Sequence, residues 1–141
     1  FLDIGHVENK EYFDEILREL KKILPSSNIN LINCNHFNIA KFMAKSDLVV
    51  LPSIYEEQYG RVIQEAVACG SLVIGSRVGA IPEIIKDNDL LFENSNSSEL
   101  SYKISKLNNR NFYKNKIKSL YTRIIKERTL KKQLYILNKL F

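Results

Sequence analysis

The 141-residue sequence has no tryptophan, one methionine, two cysteines, three prolines and five glycines. So little proline and glycine excludes collagen-like and low-complexity chains. A balance of 45% hydrophobic and 26% charged residues also excludes a wholly disordered one. Long apolar runs are missing: stretches such as Leu48 to Leu51 fall far short of the roughly 20 residues a bilayer-spanning helix needs. No basic-then-apolar leader precedes the first periodic segment, and the first residue is Phe1, so we expect no signal peptide and read the chain as a piece of a longer one. Cys34 and Cys69 stand apart, with no Cys-x-x-Cys and no histidine at ligand spacing. That pattern suggests neither a zinc site nor a disulfide framework, and two reduced, buried thiols in a cytoplasmic protein are expected. His6 and His36 are isolated, and neither alone supports a mechanism.

Acidic residues are scarce at one end. The first hundred residues carry a net charge of −6, whereas the last 41 carry +11 with Glu127 as their one acid. A basic tail after an acidic body can attract nucleic acid or anionic lipid. The same charges also fit a solvated face of surface helices.

What is present is a regular alternation of elements. Leu2 to Val7 reads as a short strand entering a loop at Gly5-His6. Tyr12, Phe13, Ile16, Leu17, Leu20, Ile23 and Leu24 recur at spacings of three and four, an amphipathic helix stopped by Pro25. Ile29 to Ile32 is strand-like, and Ile39, Phe42 and Met43 mark a second helix ending near Ser46-Asp47. Leu48 to Leu51 is a continuous apolar run, as expected of a parallel strand buried on both faces. A helix from about Arg61 to Cys69 closes at Gly70, a natural C-terminal cap. Leu72 to Ile74 forms another buried strand, Glu93 to Ser98 is a polar loop, and the remainder is helical. One long stripe runs from Phe112 to Ile125 and extends through Leu130, Leu134, Leu137 and Phe141. This alternation predicts an α/β fold of Rossmann-like character, a parallel sheet with helices on both faces. Ligands in such sheets bind beyond the carboxyl ends of the strands, so function is to be sought in the loops after Ile4, Leu51 and Ile74.

The loop after Leu51 leads into a short, apolar helix that carries an acid, Glu65, among Val62, Ile63, Ala66, Val67 and Ala68. A carboxylate there needs a partner. Glu57 lies eight positions earlier, with Gly60 at the helix start. A helix N-terminus approached through glycine favours a phosphate or diphosphate, and ionised carboxylates accept hydrogen bonds from vicinal hydroxyls. Diphosphate plus diols describes a nucleotide-sugar. The alternatives are that Glu57 is a solvated loop acid and that Glu65 pairs with Arg61 one turn earlier. In a second loop, Ser76 to Glu83, Gly79 allows a close backbone approach and Glu83 begins a helix.

The run from Leu51 to Ile85, Leu-Pro-Ser-x3-Glu-x-Tyr-Gly-Arg-Val-x2-Glu-Ala-x-Ala-Cys-Gly-x2-Val-Ile-Gly-Ser-x-Val-Gly-Ala-Ile-Pro-Glu-Ile-Ile, resembles retaining GT-B glycosyltransferases of family four. Glu57 and Glu65 match that family's Glu-x7-Glu signature, and the likeness extends over residues 1 to 105. Ser71-Leu72 stands where x-Pro is usual, and Gln58-Tyr59 where Gly-Phe is commoner. The resemblance implies a nucleotide-sugar-binding domain over 1–105, incomplete at its N-terminus, with basic C-terminal helices over 106–141 packing on it. It implies that Glu65 holds the ribose hydroxyls and that Glu57, the catalytic candidate, contacts hydroxyls of the transferred sugar. Backbone amides of Tyr59, Gly60 and Arg61 would approach sugar and diphosphate, Val62 would lie against the nucleoside, and the base would pack near Asn33 to His36. Transfer would proceed with retention, without a bound metal or cofactor, from a donor such as a UDP- or GDP-sugar. The family's diphosphate-neutralising Arg and Lys, and its acceptor-binding N-terminal domain, lie upstream of the segment matching Phe1, so the fragment alone is expected to be inactive.

Three functions therefore compete. The first is the donor half of a bacterial, cytoplasmic glycosyltransferase acting on a polysaccharide, lipopolysaccharide or glycolipid acceptor, with peripheral contact to the inner membrane face through the basic tail and no nucleic-acid partner. The second is a GT-B-like nucleotide-sugar epimerase. The third is a non-catalytic module binding through its basic tail.

Overall fold

A computed structural model of the chain describes residues 2–4, 9–24, 30–32 and 36–127. The elements run β1 (Leu2–Ile4), α1 (Lys10–Ile23), β2 (Asn30–Ile32), α2 (His36–Met43), β3 (Leu48–Leu51), α3 (Arg61–Ala68), β4 (Leu72–Ser76), α4 (Ile81–Ile85), a 3-10 turn (Asn88–Leu90), β5 (Leu91–Phe92), α5 (Ser97–Lys106) and α6 (Arg110–Glu127). The helices assigned from periodicity are all present. The stripe expected beyond Leu130, like His6 and Cys34, falls outside the described residues.

The chain divides into two units, residues 1–39 and 40–141. In the first, β1 and β2 pair in parallel, with Leu2 opposite Asn30 and Ile4 opposite Ile32. Asn9 starts α1 as its N-cap, its side-chain oxygen accepting from the Tyr12 N–H at 3.0 Å. The apolar stripe of α1 is real but shallow: none of its side chains is buried.

In the second unit the sheet order is β3-β4-β5, all parallel. Parallel neighbours need crossovers, and α3 joins β3 to β4 while α4 lies between β4 and β5. Every residue of β4 is buried, as a central strand covered on both faces should be. The core comprises Ile63, Ala66 and Val67 of α3, Leu72 to Ile74 of β4, Ile81, Ile84 and Ile85 of α4, and Leu90 to Phe92. α6 packs against α3 and β4 and buries Leu120 and Ile124. Burying a side chain of this size stabilises by about 1.5–3 kcal/mol.

Three expectations are corrected. β3 is not buried on both faces: among the described residues it pairs with β4 alone, none of its side chains is fully buried, and Val50 stays 37% exposed. Helix α4 opens at Ile81 rather than Glu83, with Pro82 in its first turn, where proline's fixed φ suits a helix start. Cys69 is half-buried rather than buried, since it is the C-cap of α3 at the turn into Gly70.

Ser71 is fully buried. Its hydroxyl sits between the carbonyl oxygens of Met43 and Ser46, the latter at 3.0 Å. It thereby ties the end of α2 to the start of β4.

Candidate functional site

The site grows from two loops beyond the carboxyl ends of β3 and β4. Ser53 and Ser76 join them at the base: the Ser76 hydroxyl donates to the Ser53 carbonyl at 2.8 Å. Further out, the Ala80 N–H donates to the Glu57 carbonyl at 2.7 Å. Gly79 fills the remaining space, at φ 52°; a Cβ there would lie 2.5 Å from the Glu57 carbonyl oxygen and 2.6 Å from its nitrogen. The close approach read from the sequence at Gly79 is therefore an approach to the backbone of Glu57.

Glu57 is half-buried, and its Oε1 accepts from the Gly60 N–H at 3.0 Å. It is thus neither a simply solvated acid nor an idle one: one oxygen caps the approach to α3, and the other has no hydrogen-bond partner among the described residues. Gly60 is the N-cap of α3 in a left-handed conformation, φ 61°. A Cβ at Gly60 would meet Ile84 Cδ1 at 2.3 Å. Glycine is required here by the backbone angle, and a side chain would also have to displace the tip of Ile84.

Gly60 offers no side chain to cap the helix, and the first N–H groups of an α-helix have no intrahelical acceptor. The amides of Arg61 and Val62 are in that position, and the helix dipole places partial positive charge beside them. Tyr59 and Val62 flank this end, 50% and 37% exposed. Arg61 is exposed as well.

Glu65 lies one turn into α3 and is half-buried. The ion pair to Arg61 that would have explained it structurally is absent: among the described residues the Glu65 carboxylate has neither an ion-pair nor a hydrogen-bond partner. The structure thus brings Glu57, Tyr59, Gly60, Arg61, Val62 and Glu65 together around the first two turns of one helix. Of the loop expected to hold the base, Asn33 to Asn35 lie outside the described residues, and His36 opens α2.

Reading the sequence alone missed the residues that hold the loops. Arg77 closes the end of β4 on β5: its N–H donates to the Phe92 carbonyl at 2.8 Å, while its guanidinium reaches Asn88 Oδ1 at 3.0 Å and Glu93 Oε1 at 2.9 Å. Asn94 donates to the Ile54 carbonyl at 3.5 Å. These contacts span sequence gaps with no periodic signal. Among the described residues no group of three His, Cys, Asp or Glu side chains is placed to hold a metal ion.

Parallel strands whose loops converge on a glycine-capped helix N-terminus, with carboxylates on either side, define the Rossmann-like α/β class found in GT-B glycosyltransferases. Within that class the chain belongs to the group 1 glycosyl transferases, whose family model matches residues 4–127. A 42.6 kDa protein in the cps region of Klebsiella pneumoniae is 38% identical over 72 residues, 51% of this chain and 19% of that protein. The N-acetyl-alpha-D-glucosaminyl L-malate synthase of Bacillus anthracis is 50% identical over 52 residues, 37% of this chain and 13% of the enzyme. The Anabaena protein HepE, crystallised in complex with UDP, shares the fold with a TM-score of 0.80 at 23% identity, over 99% of this chain and 40% of HepE. The matched segment is thus a minor part of each of these proteins.

Proposed function

We propose that this segment binds the nucleotide-diphosphate sugar donor of a glycosyltransferase, and that the whole protein transfers the sugar, with retention and without a metal, to a cell-envelope glycan or lipid acceptor in the cytoplasm. The observation that carries the reading is Glu65: a half-buried carboxylate with no partner among the described residues, one turn from a helix N-terminus with open amides. Such a carboxylate is an acceptor for the ribose hydroxyls of a nucleotide whose diphosphate lies at the N-terminus of α3. Family membership and the UDP held by HepE support a uridine donor. The support for an envelope acceptor is the relative in the cps region of Klebsiella pneumoniae.

The geometry is compatible with the roles that the family resemblance implies for these residues. Departure of the sugar leaves negative charge on the diphosphate, and the N–H groups of Arg61 and Val62 with the dipole of α3 stabilise that charge without reorganising. Glu57, fixed through its Oε1 on Gly60 and its carbonyl on Ala80, presents its second oxygen to sugar hydroxyls and orients the transferred ring. Tyr59 and Val62 give apolar surface beside the ligand.

Ligand-observed NMR with UDP, GDP and ADP, each against a Glu65→Ala control, tests this. A UDP signal that weakens at least about tenfold in the variant, equivalent to about 1.4 kcal/mol, is the expected result. Equal binding by both proteins would overturn the assignment of Glu65.

A further inference from the structure

Between Leu100 and Lys126 the chain carries eight cations and no acid, and the structure sorts them into two groups. Lys103 pairs with Glu99 at 3.1 Å, Lys106 with Asp89 at 3.2 Å, and Lys116 with Asp87 and Asp89 at 2.9 and 2.6 Å. Arg123 donates to the Ile85 carbonyl. These four fasten α5 and α6 to the core. The other four, Arg110, Lys114, Lys118 and Lys126, are exposed and have no ion-pair or hydrogen-bond partner among the described residues.

Three of them, Arg110, Lys114 and Lys118, share one strip of α6. At about 100° per residue, Arg110, Tyr121, Lys114, Ile125 and Lys118 fall, in that angular order, within about 80° of arc. Tyr121 and Ile125 are 47% and 42% exposed. This strip of the exposed face therefore alternates cations with apolar groups, and its centre lies about 100° round the helix from the side that buries Leu120 and Ile124. After it come Arg128, Lys131, Lys132 and Lys139, with no acid beyond Glu127.

We propose that the outer face of α6 docks the protein on a membrane surface bearing anionic lipid. Polybasic segments are attracted to such surfaces, roughly fivefold in affinity per Lys or Arg. Exposed tyrosine and isoleucine beside the cations then enter the headgroup boundary, where an aromatic ring with a polar tip is at home. A nucleic acid would engage the same cations through its phosphates but would leave Ile125 without a role, so the pairing of charge with apolar surface favours lipid. The proposal is independent of the sugar-transfer reading, since none of its residues belongs to the donor site.

Co-sedimentation of the chain with phosphatidylcholine vesicles, with and without phosphatidylglycerol, tests it. Binding is expected to require phosphatidylglycerol, to fall as salt is raised, and to drop at least about 25-fold in Lys114→Glu/Lys118→Glu, two positions at about fivefold each. Ile125→Ser, which leaves the charge unchanged, is expected to weaken vesicle binding as well. Circular dichroism confirms that both variants are folded; should the double variant fail to fold, Arg110→Glu and the salt series decide in its place. Equal binding to neutral vesicles, no binding at low salt, indifference to the charge reversals, or tighter binding to duplex DNA than to anionic vesicles at one salt concentration would each overturn it.

Discussion

Glycines show how unevenly single residues reveal their reasons. Gly70, at φ 92° with nothing within 4 Å of where a Cβ would sit, is required only by its backbone angle, and the helix-closing role read from the sequence needs no more than that. Gly79 also sits in the left-handed region, but it faces the backbone of Glu57 at 2.5 Å. A backbone atom cannot swing aside as a side-chain tip can. Gly70→Ala is therefore expected to cost about 1 kcal/mol, the left-handed penalty alone. Gly79→Ala should cost about 2–3 kcal/mol, since overpacking against fixed atoms adds to that penalty. Urea denaturation of both variants at neutral pH checks the order; equal losses would show that the loop yields. The motif around Glu57 and Glu65 was legible because it is contiguous in sequence. That Glu57 spends one oxygen on Gly60, and that Gly60 faces Ile84, was not, because a turn's internal hydrogen bond and a contact 24 positions away leave no mark in composition or period.

Among the elements, α6 shows the same division. Its buried stripe was readable from the spacing of Leu120 and Ile124, whereas its anchoring by opposite charges far apart in sequence was not. Lys116 holds Asp87 and Asp89 together, with its ammonium also 5.1 Å from the centre of the Phe112 ring. The hydrogen bond from Lys116 outweighs burial and, with Lys106, keeps the Asp89 carboxyl below its ordinary 3.8. On Lys116, burial alone would lower the pKa, but hydrogen bonds to Asp89 and Asp87 and their charges outweigh it and raise it above 10.5. A depressed carboxyl contributes stability present above its ordinary pKa and lost as pH falls through the lower folded value. A raised ammonium contributes stability present below 10.5 and lost as pH climbs through its higher folded value. Lys116→Met is expected to cost about 1–2 kcal/mol at pH 7, the partial exposure of all three side chains screening the pair. The loss of stability between about pH 4 and pH 2 should be shallower in the variant than in the parent. Urea midpoints across that range measure the difference; parallel acid limbs would mean that the cluster does not anchor α6.

For the whole molecule, the α/β class was legible because alternation of buried strands with amphipathic helices is a global pattern, tolerant of errors at element ends. Less legible was how burial is distributed. A strand's run of Val and Leu says that it is apolar, not how it is covered, and so β3 reads like β4 in sequence although among the described residues it pairs on one side only. The distribution has a physical consequence. Every buried hydrophobic side chain among the described residues lies between Met43 and Ile124, whereas none on α1 is buried. The elements that cover one another there, α3 on β4, α4 on β4 and α6 on α3 and β4, all belong to the unit of residues 40–141. A segment from His36 onward, which keeps α2 whole, exceeds the roughly 40 residues below which disulfides or metals are usually needed. Expressed alone, it should unfold in a single cooperative transition and protect the amides of β4 from hydrogen exchange as the full chain does. A broad, non-cooperative transition with β4 unprotected would show that the stability of the core depends on residues 1–35. In that case α3 would owe its position to residues of both units, and the effects of Gly79→Ala and Lys116→Met would have to be measured only in the full chain.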